Sequence, residues 1–319
     1  MSEATGGPTT HVIDSPHFID ACTTTHECLV DQADLLSGGH HACPGCGEAL
    51  AVRYVLNTMG PNTVAVVPPS CIAIIAGMHP YSSMRVPAIH GTLESSGAAA
   101  AGIKRALRAQ NKDDVHVLVM AGDGGTYDIG IQALSGAAER NEDMVYVCMD
   151  NEGYMNTGAQ KSGSTPRHAS TASTPGGKTT HKKNIAEIMA AHRVPYVATA
   201  SIGYPDDLVR KVTKARGMRG MRFIVVLTPC LAGWGIPENA AVRVSRLAVD
   251  SGFFPLFEIE DGVRYSINHG PRGVPVRRYL EAQKRFAHLG EEEFAEIQAA
   301  SDDAWAMLQS RVECNPTPG

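Results

Sequence analysis

Residues 122–158 read GDGGTYDIGIQALSGAAERNEDMVYVCMDNEGYMNTG, and this stretch decides the fold. A short apolar run, residues 116–121, leads into Gly122-Asp123-Gly124-Gly125. The following pattern predicts a helix over about residues 127–140, and a second apolar run, residues 144–149, stops at Asp150-Asn151. Continuous apolar runs of this length suit strands that are buried on both faces of a parallel sheet. The order is therefore strand, helix, strand, with a polar loop at the carboxyl end of each strand. Open parallel sheets bind their ligands at that edge. The expected class is α/β, a mostly parallel sheet with helices on both faces.

The residues in those loops specify a ligand. Gly122, Gly124 and Gly125 let main chain approach closely, and N–H groups at a helix start favour an anion such as phosphate. Asp123 sits among them and would repel a bare phosphate. A hard cation such as Mg2+ between carboxylate and phosphate removes the conflict, because it takes oxygen ligands. Asn151, at the end of the next strand, can add a carbonyl oxygen. The GxGxxG fingerprint is absent, since Tyr127 stands where its third glycine would be, which argues against a nicotinamide-type site. A Gly-Asp-Gly turn taken alone is equally consistent with an ordinary loop.

The chain has 319 residues, 43% of them hydrophobic, which is enough to bury one large α/β domain or two modest ones. A net charge of −5 gives no electrostatic case for nucleic acid or an anionic membrane. No apolar run approaches the ~20 residues of a membrane span. The start, MSEATGGPTTHVIDSPHF, has neither a basic segment nor an apolar core, so a cytoplasmic location is expected. Eight cysteines in such a chain suggest metal ligands, catalytic groups or buried thiols rather than disulfides.

In chain order, residues 1–37 read as an extended N-terminal arm; Cys22 and Cys28 lie in it and are expected to be plain thiols. Cys43-Pro44-Gly45-Cys46-Gly47-Glu48 follows, at the entrance to a helical pattern over residues 49–59. A Cys-x-x-Cys pair at such a junction fits a redox dithiol, half a zinc site or half an iron–sulfur site. The preceding Gly-Gly-His-His-Ala is a poor strand for a thioredoxin-like dithiol, and no second Cys-x-x-Cys completes a zinc ribbon. Two single cysteines stand just past strand-like runs: Cys71 after residues 64–67, and Cys230 after residues 223–227. Four thiols converging on the edge that carries Asp123 and Asn151 could hold a [4Fe–4S] cluster. A lone cysteine is more often a small buried residue, the role expected for Cys148, while Cys314 in a polar tail is expected to be exposed. Residues 159–183 form a long loop with Lys161, Arg167, Lys178, Lys182 and Lys183. Such a loop is either solvated or meets a subunit, an anionic substrate or coenzyme A. From residue 237 the pattern changes to a helix, a hairpin-like segment and two acidic helices near 276–286 and 291–309.

Gly122-Asp123-Gly124 with Asn151 resembles the GDG…N motif of thiamine diphosphate enzymes. CPGCGEAL, the single Cys71, GDGGTYDIG, DNEGYMNTGAQKSGSTP and LTPCLAGWG together resemble the thiamine-binding β subunit of the 2-oxoacid:ferredoxin oxidoreductases, the pyruvate enzyme above all. The likeness spans about residues 38–300. It implies that Asp123, Asn151 and the main-chain carbonyl of Gly153 bind Mg2+ on thiamine diphosphate. Ser70, His90, Gly122, Gly124 and Gly125 would surround that cofactor, Asn156 would lie beside the substrate, and Cys43, Cys46, Cys71 and Cys230 would hold a [4Fe–4S] cluster.

Composition and pattern thus divide the chain into three expected segments: the arm 1–37, a cofactor domain 38–236, and a C-terminal appendage 237–319 that packs on partners. The reaction that the resemblance implies is oxidative decarboxylation of a 2-oxoacid, pyruvate by default, to acyl-coenzyme A and CO2, with electrons leaving through the cluster to ferredoxin or a similar acceptor. Thiamine enzymes also need a glutamate against the aminopyrimidine. Glu48 and Glu94 are near in sequence, but in this family that group belongs to an α subunit. The chain is therefore expected to work only with an α subunit and an iron–sulfur subunit. Two other readings use fewer of these residues. A non-redox decarboxylase or carboligase would leave the four cysteines idle, and an electron carrier would leave Asp123 and Asn151 idle.

Overall fold

The computed structural model describes residues 34–315, so Cys22, Cys28 and most of the expected arm lie outside the described residues. Eight strands form one sheet: β1 (Thr63–Val67), β2 (Ala88–His90), β3 (His116–Gly122), β4 (Met144–Asp150), β5 (Tyr196–Ser201), β6 (Met221–Leu227), β7 (Leu256–Glu260) and β8 (Arg264–His269). Their order across the sheet is β2-β1-β3-β4-β6-β5-β7-β8. The six strands from β2 to β5 run parallel, and β7 and β8 close the far side as antiparallel partners.

Successive strand residues point to opposite faces. Leu118, Met120, Val145 and Val147 thus enter one apolar layer, whereas Val117, Val119, Tyr146 and Cys148 enter the other. Helices α1 (Gly47–Met59), α2 (Cys71–Ala76) and α7 (Pro205–Gly217) cover the first layer. Helices α3 (Ser96–Ala109), α5 (Ile131–Glu139), α6 (Ile185–Ala191) and α11 (Glu291–Glu313) cover the second. All seven residues of β4 are buried, which explains why its sequence does not alternate. A third cluster, around Trp234, Val244, Tyr279 and Phe286, packs α9 (Ala241–Asp250) and α10 (Val276–Glu281) beyond the carboxyl end of β6.

Two expected helices are shorter than their patterns. The helix expected over 127–140 is split into α4 (Gly124–Tyr127) and α5, with Asp128 turned out of helical geometry at φ −106°, ψ −112°. Asp128 is held there by the hydroxyl of Tyr154 at 2.9 Å and the main-chain N–H of Gly163 at 3.1 Å. The tight return also needs Gly130, where a Cβ would stand 1.8 Å from the carbonyl oxygen of Gly125. The helix expected over 276–286 ends at Glu281, and Lys284–Phe286 forms a separate 3-10 turn. Arg285 at that turn is drawn inward, onto the Trp234 ring (3.8 Å) and Glu152 (2.6 Å).

The stretch 237–315 adds β7 and β8 to the same sheet and lays α11 across the second layer. Residues 159–183 hold only isolated bridges, yet Ser162, Ser164, Thr165, Ala169 and Lys178 within them are buried. Four of the loop's five cations are spent inside the chain. Lys178 donates to main-chain carbonyls, and Arg167, Lys182 and Lys183 pair with carboxylates.

Candidate active site

The parallel order brings the expected residues to one edge. Ser70 and Cys71 follow β1, His90 ends β2, Asp123 follows β3, Asn151 follows β4 and Cys230 follows β6. Because β3 and β4 are neighbours, with Gly122 paired to Met149, Asp123 and Asn151 stand on adjacent strand ends. Gly122 is close to Ser70, since a Cβ there would come 3.3 Å from the Ser70 Cβ. Gly124 is required by Tyr154, whose ring would lie 2.2 Å from an added Cβ.

Asp123 is buried and accepts a hydrogen bond from the hydroxyl of Ser162. Burial, reinforced by the Asp150 carboxylate, pushes its carboxyl well above the ordinary carboxylate range. Asn151 is buried too. Its side-chain amide donates to Glu48 Oε2 at 2.9 Å and to Cys71 Sγ at 3.6 Å, while its own Oδ1 has no partner. A buried acceptor left unpaired costs about 1–3 kcal/mol. An orphaned amide oxygen beside a buried carboxyl is what a hard cation would satisfy.

The main chain around Asn151 is fixed from below. Its carbonyl accepts from the indole N–H of Trp234 at 2.7 Å. The next residue, Glu152, takes the left-handed region at φ +64° without being glycine. Such a conformation persists only when neighbours over-determine it. Here Lys182 Nζ lies 2.8 Å from both Asp150 and Glu152, and Arg285 grips Glu152 from the other side.

Three of the thiols, Cys46, Cys71 and Cys230, gather around Glu48. Cys46 caps the start of α1, with its N–H on the carbonyl of Cys43 at 3.0 Å. Cys71 opens α2, and its Sγ lies 3.4 Å from Asn156 Oδ1. Cys230 caps α8 (Leu231–Trp234), its Sγ accepting from the Gly233 N–H at 3.4 Å. Burial pushes the Cys46 thiol up to about 11 and raises Cys71 and Cys230 as well. In each case a neighbouring cysteine adds to the rise: Cys230 acts on both Cys46 and Cys71, and Cys43 acts on Cys230. Among the described residues, no three His, Cys, Asp or Glu side chains are gathered to hold a single metal ion. Cys148 is buried in β4 and Cys314 is exposed, apart from this edge.

His90 is exposed at the same edge, with Nε2 3.2 Å from the Gly77 carbonyl. Of the two glutamates, Glu48 lies inside the site, where burial raises its carboxyl to about 7. Glu94 is exposed and accepts from Thr92. Sequence reasoning passed over Ser162 and Trp234. Ser162 sits in a Ser/Thr-rich loop that offers no periodicity. Trp234, one of only two tryptophans, was the better clue, because so large an indole close after a strand end must bury its ring and find an acceptor.

A family model for the C-terminal thiamine pyrophosphate binding domain of thiamine pyrophosphate enzymes matches residues 71–226. The fold is shared with a 2-oxoglutarate:ferredoxin oxidoreductase from Magnetococcus marinus, at TM-score 0.57 and 22% identity over 83% of this chain and 94% of that one. Pyruvate synthase subunit PorB of Methanothermobacter thermautotrophicus is 48% identical over 286 residues, covering 88% of this chain and 99% of that protein. Ketoisovalerate oxidoreductase subunit VorB of Pyrococcus furiosus is 44% identical over 288 residues, covering 86% of this chain and 92% of that protein. At 44–48% identity over most of its length, the chain belongs to the PorB/VorB family of β subunits of 2-oxoacid:ferredoxin oxidoreductases.

Proposed function

We propose that this chain supplies the diphosphate-binding half of a thiamine diphosphate site and all four thiolates of a [4Fe–4S] cluster, in a multisubunit enzyme that oxidises a 2-oxoacid to acyl-coenzyme A and CO2. Pyruvate is the default substrate, and the names of the relatives support a 2-oxoacid. The observation that carries the reading is the unpartnered Asn151 Oδ1 in a buried site next to Asp123.

The residues present fit the groups. Asp123, Asn151 and the Gly153 carbonyl would hold Mg2+, with Gly122, Gly124, Gly125, Ser70 and His90 around the diphosphate and thiazole. Three oxygen donors, two of them amide or main-chain, suit Mg2+ better than a softer ion. Cys43, Cys46, Cys71 and Cys230 would each bind one iron, an arrangement that needs no three donors on a single ion. When bound, thiamine diphosphate supplies the carbon nucleophile that releases CO2 from a 2-oxoacid, and the cluster takes up electrons singly.

The chain's own residues position these events. Ser162 fixes one carboxyl oxygen of Asp123, and Trp234 fixes the Asn151 main chain, so neither donor has to reorganise on binding. Glu48 orients the Asn151 amide and thereby points Oδ1 away from itself. Asn156, in contact with Cys71, would lie between substrate and cluster. The aminopyrimidine glutamate would come from an α subunit, and an iron–sulfur subunit would carry electrons to ferredoxin or another acceptor.

The test is the assembled complex, purified without oxygen. Mg2+-dependent thiamine diphosphate binding, four irons per copy of this chain beyond those of the partner, and 2-oxoacid-dependent dye reduction that needs coenzyme A are expected. A colourless complex that still releases CO2 would replace this reading by a non-redox decarboxylase. A complex that holds iron but never binds thiamine diphosphate would replace it by an electron carrier.

A further inference from the structure

A cavity of about 410 Å3 opens over the second apolar layer, away from the cysteine edge. Three separate parts of the chain wall it: residues 166–168 with 181–187, residues 252–257, and α11 from Glu296 to Arg311. Its floor is apolar, with Val225, Phe254, Phe257 and Leu308. Volume and lining are those of a small-molecule pocket rather than a packing defect. Glu296 ties two walls together, pairing with Arg167 and, at 3.1 Å, with His168 Nε2. The inner wall, Glu152 with Lys182, is the back of the turn that carries Asn151.

Two lining residues carry a polar atom with no partner. One is the Oγ of Ser301, a residue only 8% exposed. It lies beside Gly252, where an added Cβ would come 3.7 Å from the hydroxyl. The other is Nε of Arg167, whose Nη1 is already engaged by Glu296. A guanidinium Nε–H can only donate, and a hydroxyl can donate, so the missing partner is an acceptor. Four basic residues (Arg167, Lys182, Lys183, Arg311) and three acidic ones (Glu152, Glu187, Glu296) line the cavity. Each of these cations already has a carboxylate partner, Arg167 with Glu296, Lys182 with Asp150 and Glu152, Lys183 with Asp128 and Arg311 with Glu187, so the two unpaired donors rather than an excess of charge select the ligand.

We propose that this cavity is a binding site for a small monocarboxylic acid with a branched aliphatic or aromatic body, its carboxylate on Arg167 Nε and Ser301 Oγ and its body on Phe254 and Phe257. The site is separate from the strand-end site and does not depend on thiamine or iron being bound.

Ligand-observed NMR titration of the full chain with phenylacetate and with isovalerate tests it, with phenethylamine as the cationic control of like shape. Saturable binding of the acids and none of the amine is expected. Ser301→Ala should weaken binding roughly 3- to 10-fold, since it removes one hydrogen bond to a charged acceptor. Ala304→Trp, at an exposed lining position that tolerates bulk, should abolish it even if the serine variant proves unstable. The same titration on the complex with its partner subunits should give the same affinity. The proposal is overturned by the absence of saturable binding up to about 10 mM, by equal binding of the amine, by indifference to Ala304→Trp, or by loss of binding on assembly, which would make the cavity a subunit contact.

Discussion

Asn151 gives its side-chain amide to Glu48 at 2.9 Å and to Cys71 Sγ at 3.6 Å and leaves Oδ1 without a partner, so these two bonds fix which way round the amide sits. Glu48 is the second residue of α1, 103 residues away in sequence, and burial raises its carboxyl to about 7. A glutamine at 48 keeps an acceptor for the amide, whereas an alanine lets the amide rotate. Asn151→Ala and Glu48→Ala should each weaken Mg2+-dependent thiamine diphosphate binding by on the order of 100-fold, and Glu48→Gln by less than about 10-fold. Calorimetric titration of the assembled complex at saturating Mg2+ measures this. Equal losses in Glu48→Gln and Glu48→Ala would mean that the charge of Glu48, not its orientation of Asn151, matters.

Cys71 touches both Asn156 and Asn151, so the thiols and the residues proposed to hold Mg2+ share a boundary. Replacing any one of Cys43, Cys46, Cys71 or Cys230 by serine should remove most iron and sulfide from this chain and its visible absorption. Cys314→Ser, at an exposed site, should leave both unchanged. Thiamine diphosphate binding separates the members: Cys71→Ser is expected to disturb it, and Cys43→Ser to leave it within about 3-fold, a difference of ~0.7 kcal/mol at most. Full iron content in the Cys230→Ser chain would remove that residue from the set.

Much of this edge was readable in advance because the parallel strands announce themselves. The runs before Asp123, Asn151 and Cys230 are continuous and apolar, and the residues that stop them fall where a parallel sheet places ligands. The glycine–aspartate–asparagine and cysteine patterns then pointed to the family that the relatives show. What stayed hidden depends on contacts between distant segments. The break at Asp128 is imposed by Tyr154 and Gly163, on which local helical periodicity is silent. The cations of 159–183 look like a free basic patch in sequence, yet their carboxylate partners, from Asp128 to Glu296, lie up to about 130 residues away. The two strands β7 and β8 read only as a hairpin, because nothing in their own residues says which sheet edge they will join.

The glycines offer a paired stability test. Gly130→Ala would set a Cβ 1.8 Å from a main-chain oxygen, which no rotamer change relieves, so a loss of roughly 3 kcal/mol or more is expected. Gly102, inside α3, has no atom within 4 Å of an added Cβ. Gly102→Ala should therefore stabilise by about 0.5–1 kcal/mol, through the smaller entropy of the unfolded chain and better helix propensity. Denaturant unfolding at fixed cofactor concentration reads both. A neutral Gly130→Ala would mean that the α4–α5 return is looser than its geometry indicates.

His116 opens β3 at the edge opposite the cysteines. Burial pushes its imidazole down to about 4, and the charges of Arg216, Arg222, Lys104 and Arg219 act in the same direction. The unfolded chain binds this proton near pH 6.5, so the folded chain resists protonation that the unfolded chain accepts. The sign follows: the contribution is fully present above pH 6.5 and is lost as pH falls from there toward 4. Its size, discounted because the ring is partly exposed to solvent, is about 1–2 kcal/mol. His116→Val keeps a strand-forming residue and removes the titration. Its unfolding free energy should therefore fall less between pH 6.5 and pH 4 than that of the unaltered chain, by this amount. Parallel pH profiles for the two proteins would show that His116 is charged in the folded state and paired in a way the geometry does not reveal.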